Sequence, residues 1–209
     1  MNSPSRILSV LVCVGCLLFV AEAGRAQSTG LALANNYFVT GDYIIGGVGL
    51  RGLGDASGFA TGQIKVPDPA QPNSAAVPPG ADVVAAFLYW ETVESSNAGA
   101  ITGQNGFFNG FPIAGTLRGD PNAPTSWSTG GCSGSAQGSK TMRVYRADVR
   151  PYLNVDANGN TLGNGTYTVK LADSGSNGGG VPLTLGASLV VIYRLQSPGV
   201  PLNSIVLYD

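Results

Sequence analysis

Residues 82–93 read DVVAAFLYWETV. The run is apolar almost throughout, so its periodicity fits a buried helix as well as a buried strand. Its surroundings and content decide between them. Pro78-Pro79-Gly80 stands just before it, and Val, Phe, Tyr and Trp fill it, side chains that favour strands. We read it as a buried strand.

Strand signals continue on both sides. Residues 166–171 (TYTVKL) alternate strictly, with Tyr167, Val169 and Leu171 facing one way and Thr166, Thr168 and Lys170 the other. Such a strand has one buried and one wet face. Residues 189–195 and 205–208 are apolar by composition and read as fully buried strands. In Phe107-Phe108-Asn109-Gly110-Phe111 an Asn-Gly pair sits between aromatics, a strong hairpin signal. Upstream, residues 37–48 (YFVTGDYIIGGV) and 61–66 read as strands, and downstream so do 141–145. Residues 67–80 are a proline-rich loop, 119–138 a long irregular loop and 156–160 a turn. Asp148 caps a helical turn toward Leu153 that Pro151 keeps short. Short strands between turn signals, with no internal repeat, predict an all-β fold: an antiparallel β-sandwich, jelly-roll-like or Ig-like, with long Gly/Ser/Pro-rich loops.

The N-terminus predicts export. Arg6 supplies a short cationic region, residues 7–20 an apolar run too short for a comfortable membrane span, and Ala21-Glu22-Ala23 a small-x-small box. Residues 1–26 are therefore expected to be a signal peptide, cleaved after Ala23 or after Ala26, leaving 27–209 as one sandwich domain. A competing lipoprotein reading, with Gly15-Cys16 as the acylation site, is the weaker one because Leu17-Leu18-Phe19-Val20 continues the apolar run. Export removes Cys13 and Cys16 and leaves Cys132 alone, so no internal disulfide framework is available. Cleavage after Ala26 turns 11 basic and 12 acidic residues into 9 and 11, a net charge of −2. That balance offers no basic stripe for nucleic acid and no polybasic membrane patch. Charged residues are 11% of the chain, well under the roughly 25% usual in soluble domains, while 44% hydrophobic residues argue for a packed core.

Candidate chemistry is sparse. The chain has no histidine, which removes Ser-His-Asp triads, Cys-His catalysis and His-based metal sites. Ser133 lacks the spacing of a nucleophile elbow, and nothing marks Lys65, Lys140 or Lys170 as its dyad partner. Gly47-Val48-Gly49-Leu50-Arg51-Gly52 matches a dinucleotide fingerprint, but the following Leu53-Gly54-Asp55-Ala56-Ser57-Gly58 has no helical face, so a glycine-rich bend or bulge is expected. Glu91 and Glu94, three apart on a strand, point to opposite faces and do not form a glycosidase pair. Asn154, Asp156 and Asn158 begin like a calcium loop, with glycine sixth, but Gly165 stands where the bidentate acid belongs. Calcium is the one cofactor this pattern suggests, and a polar turn is the plainer reading. Asn164-Gly165-Thr166 is a glycosylation sequon by pattern and a turn by its glycines. Trp90 is expected in the core, and Trp127, in the long loop, is the aromatic best placed to meet a ligand.

Gly41-Asp42-Tyr43 with the glycine motif, Pro79-Gly80-Ala81-Asp82-Val83 with Leu88-Tyr89-Trp90, and Tyr145-Arg146-Ala147-Asp148-Val149 form a distinctive set. Gly163-Asn164-Gly165-Thr166-Tyr167-Thr168-Val169 and Gly186-Ala187-Ser188-Leu189-Val190-Val191-Ile192-Tyr193 complete it. Together they resemble an uncharacterised class of secreted bacterial β-rich modules that stand ahead of further repeats in large surface or extracellular proteins. The resemblance implies no catalytic residues, and implies that the segment 205–209 runs on into more chain, so that the sequence is expected to be truncated. The resulting expectation is a non-catalytic extracellular or cell-surface domain of structural or adhesion type, with glycans or other surface proteins as partners. The alternatives are a carbohydrate-binding module using loop aromatics and a glycoside hydrolase or lyase.

Overall fold

Residues 82–93 form most of β3 (Asp82–Ser95), a strand at the interior of a sheet with both faces largely covered. The computed structural model describes residues 31–95, 101–120, 140–175 and 180–209. The expected signal peptide, Trp127, Cys132 and Ser133 lie outside the described residues.

The chain is almost entirely β. Along it run β1 (Leu33–Gly49), β2 (Phe59–Val66), β3, β4 (Asn105–Phe108), β5 (Phe111–Ala114), β6 (Thr116–Arg118), β7 (Lys140–Asp148), β8 (Gly165–Ala172), β9 (Leu183–Arg194) and β10 (Leu202–Tyr208). One sheet has the order β10-β1-β9-β3-β7-β6 and the other β2-β8-β4-β5, all pairings antiparallel. Their inner faces meet in one core, with Leu50, Leu88, Trp90, Tyr145 and Leu189 from the first sheet against Ile64, Phe108, Tyr167, Val169 and Leu171 from the second. Burying each such side chain contributes about 1.5–3 kcal/mol. Within it Trp90 stacks on Tyr145 at 5.6 Å and Phe108 on Tyr167 at 5.5 Å.

Local chemistry accounts for the turns. Asn109 and Gly110 both take positive φ, 50° and 82°, as a two-residue hairpin between β4 and β5 requires. Asp148 Oδ1 accepts from Arg150 N at 3.0 Å where a short 3₁₀ turn, Arg150–Tyr152, begins. β8 alternates as its sequence predicts, with Tyr167, Val169 and Leu171 buried and Thr166 and Thr168 exposed. Where the chain crosses from β8 to β9, the buried Asp173 accepts from Gly175 N and Thr184 N, each at 2.8 Å.

The glycine motif is divided between two settings. Gly47 and Gly49 lie in β1, and Gly52, at φ 76°, turns the chain toward β2 without any helix.

The last strand departs from expectation. β10 is not fully buried: of its residues only Ile205 is. The reason is its position at the sheet edge, where it pairs with the first half of β1, Leu33–Thr40, while the second half of β1 pairs with β9. At the changeover, a Cβ on Gly41 would lie 2.1 Å from the Tyr193 carbonyl oxygen, so only glycine fits. The ribbon of β1 and β10 lies over the outer face of the six-stranded sheet, joining Val39 and Ile205 to Ala85, Val190 and Ile192 in a second apolar cluster. Asp209 ends the ribbon. Its carboxylate accepts from Tyr89 Oη at 3.0 Å and pairs with Arg146 and, at 3.3 Å, with Arg118 Nε.

Asn164, the sequon asparagine, is committed to the fold: Val77 N donates to its Oδ1 at 2.8 Å and its Nδ2 donates to Val77 O at 2.7 Å. Asn164→Ala is expected to leave both Val77 groups unpaired and cost about 1–3 kcal/mol, read as a lowered urea midpoint with an unchanged m-value.

Candidate functional site

Most of the buried polar chemistry gathers around Glu94. Along β3 the inward positions run Ala86, Leu88, Trp90, Thr92 and Glu94, so apolar side chains give way to polar ones toward the strand's end. β7 does the same across the ladder, where Trp90 faces Tyr145, Thr92 faces Arg143 and Glu94 faces Thr141. Glu94 is fully buried and Arg143 almost so. Glu94 Oε2 accepts from Arg143 NH1 at 2.8 Å, Thr102 N at 2.7 Å and Thr102 Oγ1 at 3.2 Å. Its Oε1 accepts from Thr92 Oγ1 at 2.7 Å and from the Tyr145 hydroxyl. Burial pushes the carboxyl pKa up, but the hydrogen bonds from Tyr145, Thr102, Thr92 and Arg143 outweigh it and leave it below the ordinary value. Burial and the same carboxylate drive the Tyr145 phenol well above its usual range. The carboxylate is saturated with donors and ties the segment following residue 100 to β3 and β7. Trp90 adds to that tie by donating from Nε1 to Gly103 O at 2.8 Å.

Glu91 and Glu94 diverge. Glu94 points into the sandwich, whereas Glu91 lies on the outer face and is partly exposed. The two carboxylates do not share a cleft.

The Asn154, Asp156 and Asn158 segment is held by its own hydrogen bonds. Asp156 Oδ1 accepts from Asn158 N and Asn160 N, each at 2.8 Å, and Oδ2 accepts from Asn160 Nδ2 at 2.9 Å. Hydrogen bonds from the Asn160 side chain and backbone, then from Asn158, lower the Asp156 pKa. Asn154 is drawn away toward β4, its Oδ1 lying 3.5 Å from Asn109 Nδ2. Among the described residues, no three His, Cys, Asp or Glu side chains gather as a metal site.

Lys170 Nζ lies 4.7 Å from the centroid of the Phe59 ring, a cation–π contact that gives this lysine a packing role.

The most unusual surface is the outward side of the β1–β10 ribbon. Paired positions share a face, so Leu33 with Tyr208, Phe38 with Ser204, and Thr40 with Leu202 stand together. Phe38 is 68% exposed, Leu202 69%, Tyr208 57% and Val206 39%. Residues 31–40 and 202–208 carry no charge and no proline, and the β1–β10 register shifts between Leu33 and Asn35, at the far end of the ribbon. Natural edge strands normally use charges, proline or bulges to discourage pairing, and contiguous exposed apolar patches commonly mark interaction sites. Reading 205–208 as core hid this surface, although Ser204, just before the run and on the same face as Val206, is the signal that one side is not buried.

No protein-family model matches the chain, and neither a curated protein nor a solved structure matches it.

Removing one partner of the buried ion pair should be costly. Glu94→Gln is expected to destabilise the domain by about 3–5 kcal/mol, with partial recovery when Arg143→Met is added. The folded-state pKa of Glu94 is depressed, so its contribution is present above the unfolded carboxylate value of about 4.3 and is lost as pH falls through the folded value. Urea melts across that acid range should therefore show the wild-type advantage over Glu94→Gln shrinking as pH falls.

Proposed function

We propose that this is a non-catalytic, exported domain of structural or adhesion type, working at a bacterial surface and engaging another polypeptide through the outward side of the β1–β10 ribbon. The observation that carries the reading is that ribbon: an uncharged edge strand and its neighbour present Phe38, Leu202, Val206 and Tyr208 to solvent together. An added strand would gain main-chain hydrogen bonds along β10 and apolar contacts on this face. The chemistry of the acidic residues supports the same reading. Glu94 is spent on internal donors, and Glu91 faces away from it. The N-terminal apolar run followed by Ala21-Glu22-Ala23 supports export, with a mature protein beginning at Gly24 or Gln27. The fold is all-β, and no described helix is long and apolar enough to cross a membrane.

The domain displayed on a non-adherent bacterium should hold cells on glass coated with gelatin or fibronectin. Phe38→Lys with Val206→Lys should lower retention at least tenfold at equal display. Equal retention would remove the ribbon as the binding surface. Polysaccharide hydrolysis by the purified domain, abolished by Glu91→Gln, would overturn the non-catalytic reading.

A further inference from the structure

A second feature lies on the outer face of the six-stranded sheet, away from the ribbon's exposed side. Here β1, β9, β3 and β7 border a groove of about 390 Å³, within the range of small-ligand sites. Register defines its floor. One cross-strand row runs Gly47, Ser188, Tyr89, Arg146, and the next runs Gly49, Gly186, Glu91, Val144. Side chains are nearly absent on the β1 and β9 half, while Tyr89, Glu91 and Val144 stand on the other half.

Two observations single this groove out. First, folding does not require Gly47 or Gly49. Neither has positive φ; a Cβ on Gly47 would meet only ordinary contacts, Ala187 O at 3.5 Å and Ser188 Oγ at 3.7 Å, and a Cβ on Gly49 would meet nothing within 4 Å. Gly41, Gly46 and Gly62 differ, as does Gly186 in the groove itself, since a Cβ there would come within 2.9 Å of a neighbouring atom. Glycine inside a strand costs roughly 0.5–1 kcal/mol relative to alanine, so Gly47 in the floor is kept against stability. Second, the Glu91 carboxylate is partly buried in the groove without a hydrogen bond or ion pair to any described residue, whereas Glu94, on the same strand, has five donors. A half-sheltered acceptor beside a flat floor suits a ligand that brings its own donors.

We propose that this groove binds one sugar residue of a neutral glycan. The ring's C–H face would lie on the Gly47–Gly186 floor, and its hydroxyls would donate to Glu91 and exchange hydrogen bonds with Ser188. Tyr89 forms a fixed wall, because its hydroxyl donates to Asp209 at 3.0 Å. A lone carboxylate is a poor divalent-cation site, and the flat floor offers no pocket for a side-chain knob. The site uses no loop aromatic and none of the ribbon's exposed side chains, so either binding surface can fail without the other.

The test is saturation-transfer NMR of the purified domain against neutral oligosaccharides of glucose, galactose and N-acetylglucosamine. At least one should bind at millimolar concentration or below. Glu91→Gln should weaken it at least fivefold, and Gly47→Leu, which places a side chain in the groove, should abolish it. Unchanged circular dichroism and melting temperature in Gly47→Leu would separate blockage from misfolding. Absence of binding across the panel would overturn the proposal, as would binding indifferent to both variants. Binding of a lysine-rich peptide but not of sugars, lost in Glu91→Gln, would also overturn it.

Discussion

β3 and β9 carry more apolar surface than one neighbouring sheet can cover, and the architecture follows from that constraint. On the inner side, Leu88, Trp90, Leu189 and Val191 meet the four-stranded sheet. On the outer side, Ala85, Val190 and Ile192 need a second cover, which β1 and β10 provide by lying over them. A sandwich made only of two flat layers would leave those residues wet. The curled first sheet, the glycine at position 41 and the long excursion of β1 are all responses to this double burial.

Much of this was legible in the sequence because period and turn chemistry act locally. The alternation of Tyr167, Val169 and Leu171 required one buried face, and Asn109-Gly110 required a tight hairpin; both are present. The run 82–93 was legible as strand because proline and glycine precede it and β-branched and aromatic residues fill it. What pattern alone did not reveal depends on partners far away in the chain. Residues 205–208 are as apolar as a core strand, yet their exposure is set by having β1 on one side and no described strand on the other. Nothing in the sequence around Glu94 marks a partner for it, and only pairing with β7 brings Arg143 and Tyr145 to it.

The polar residues divide by whether the fold consumes them. Glu94, Asp173 and Asn164 each satisfy buried or half-buried donors and have little left to offer a ligand. Asp156 is similarly occupied by the turn it organises. Glu91 is not, and it sits where its neighbour on β9 is Gly186. Low overall charge makes the contrast sharper: with few ionisable groups, an uncommitted one in a concave place carries more information than it would in an ordinary surface.

The arrangement of β1 also bears on how the chain is assembled. Tyr37 pairs with Ile205 and Gly49 with Gly186, so both ladder partners of this early strand come from the far end of the sequence. Closing such long loops is entropically slow and delays native pairing until most of the polypeptide is available. During synthesis β1 therefore waits without its hydrogen-bonding neighbours, and the six-stranded sheet cannot close ahead of them. A topology of this kind keeps the nascent chain loose for longer than one built from consecutive hairpins, which is the state the proposed export would require of it.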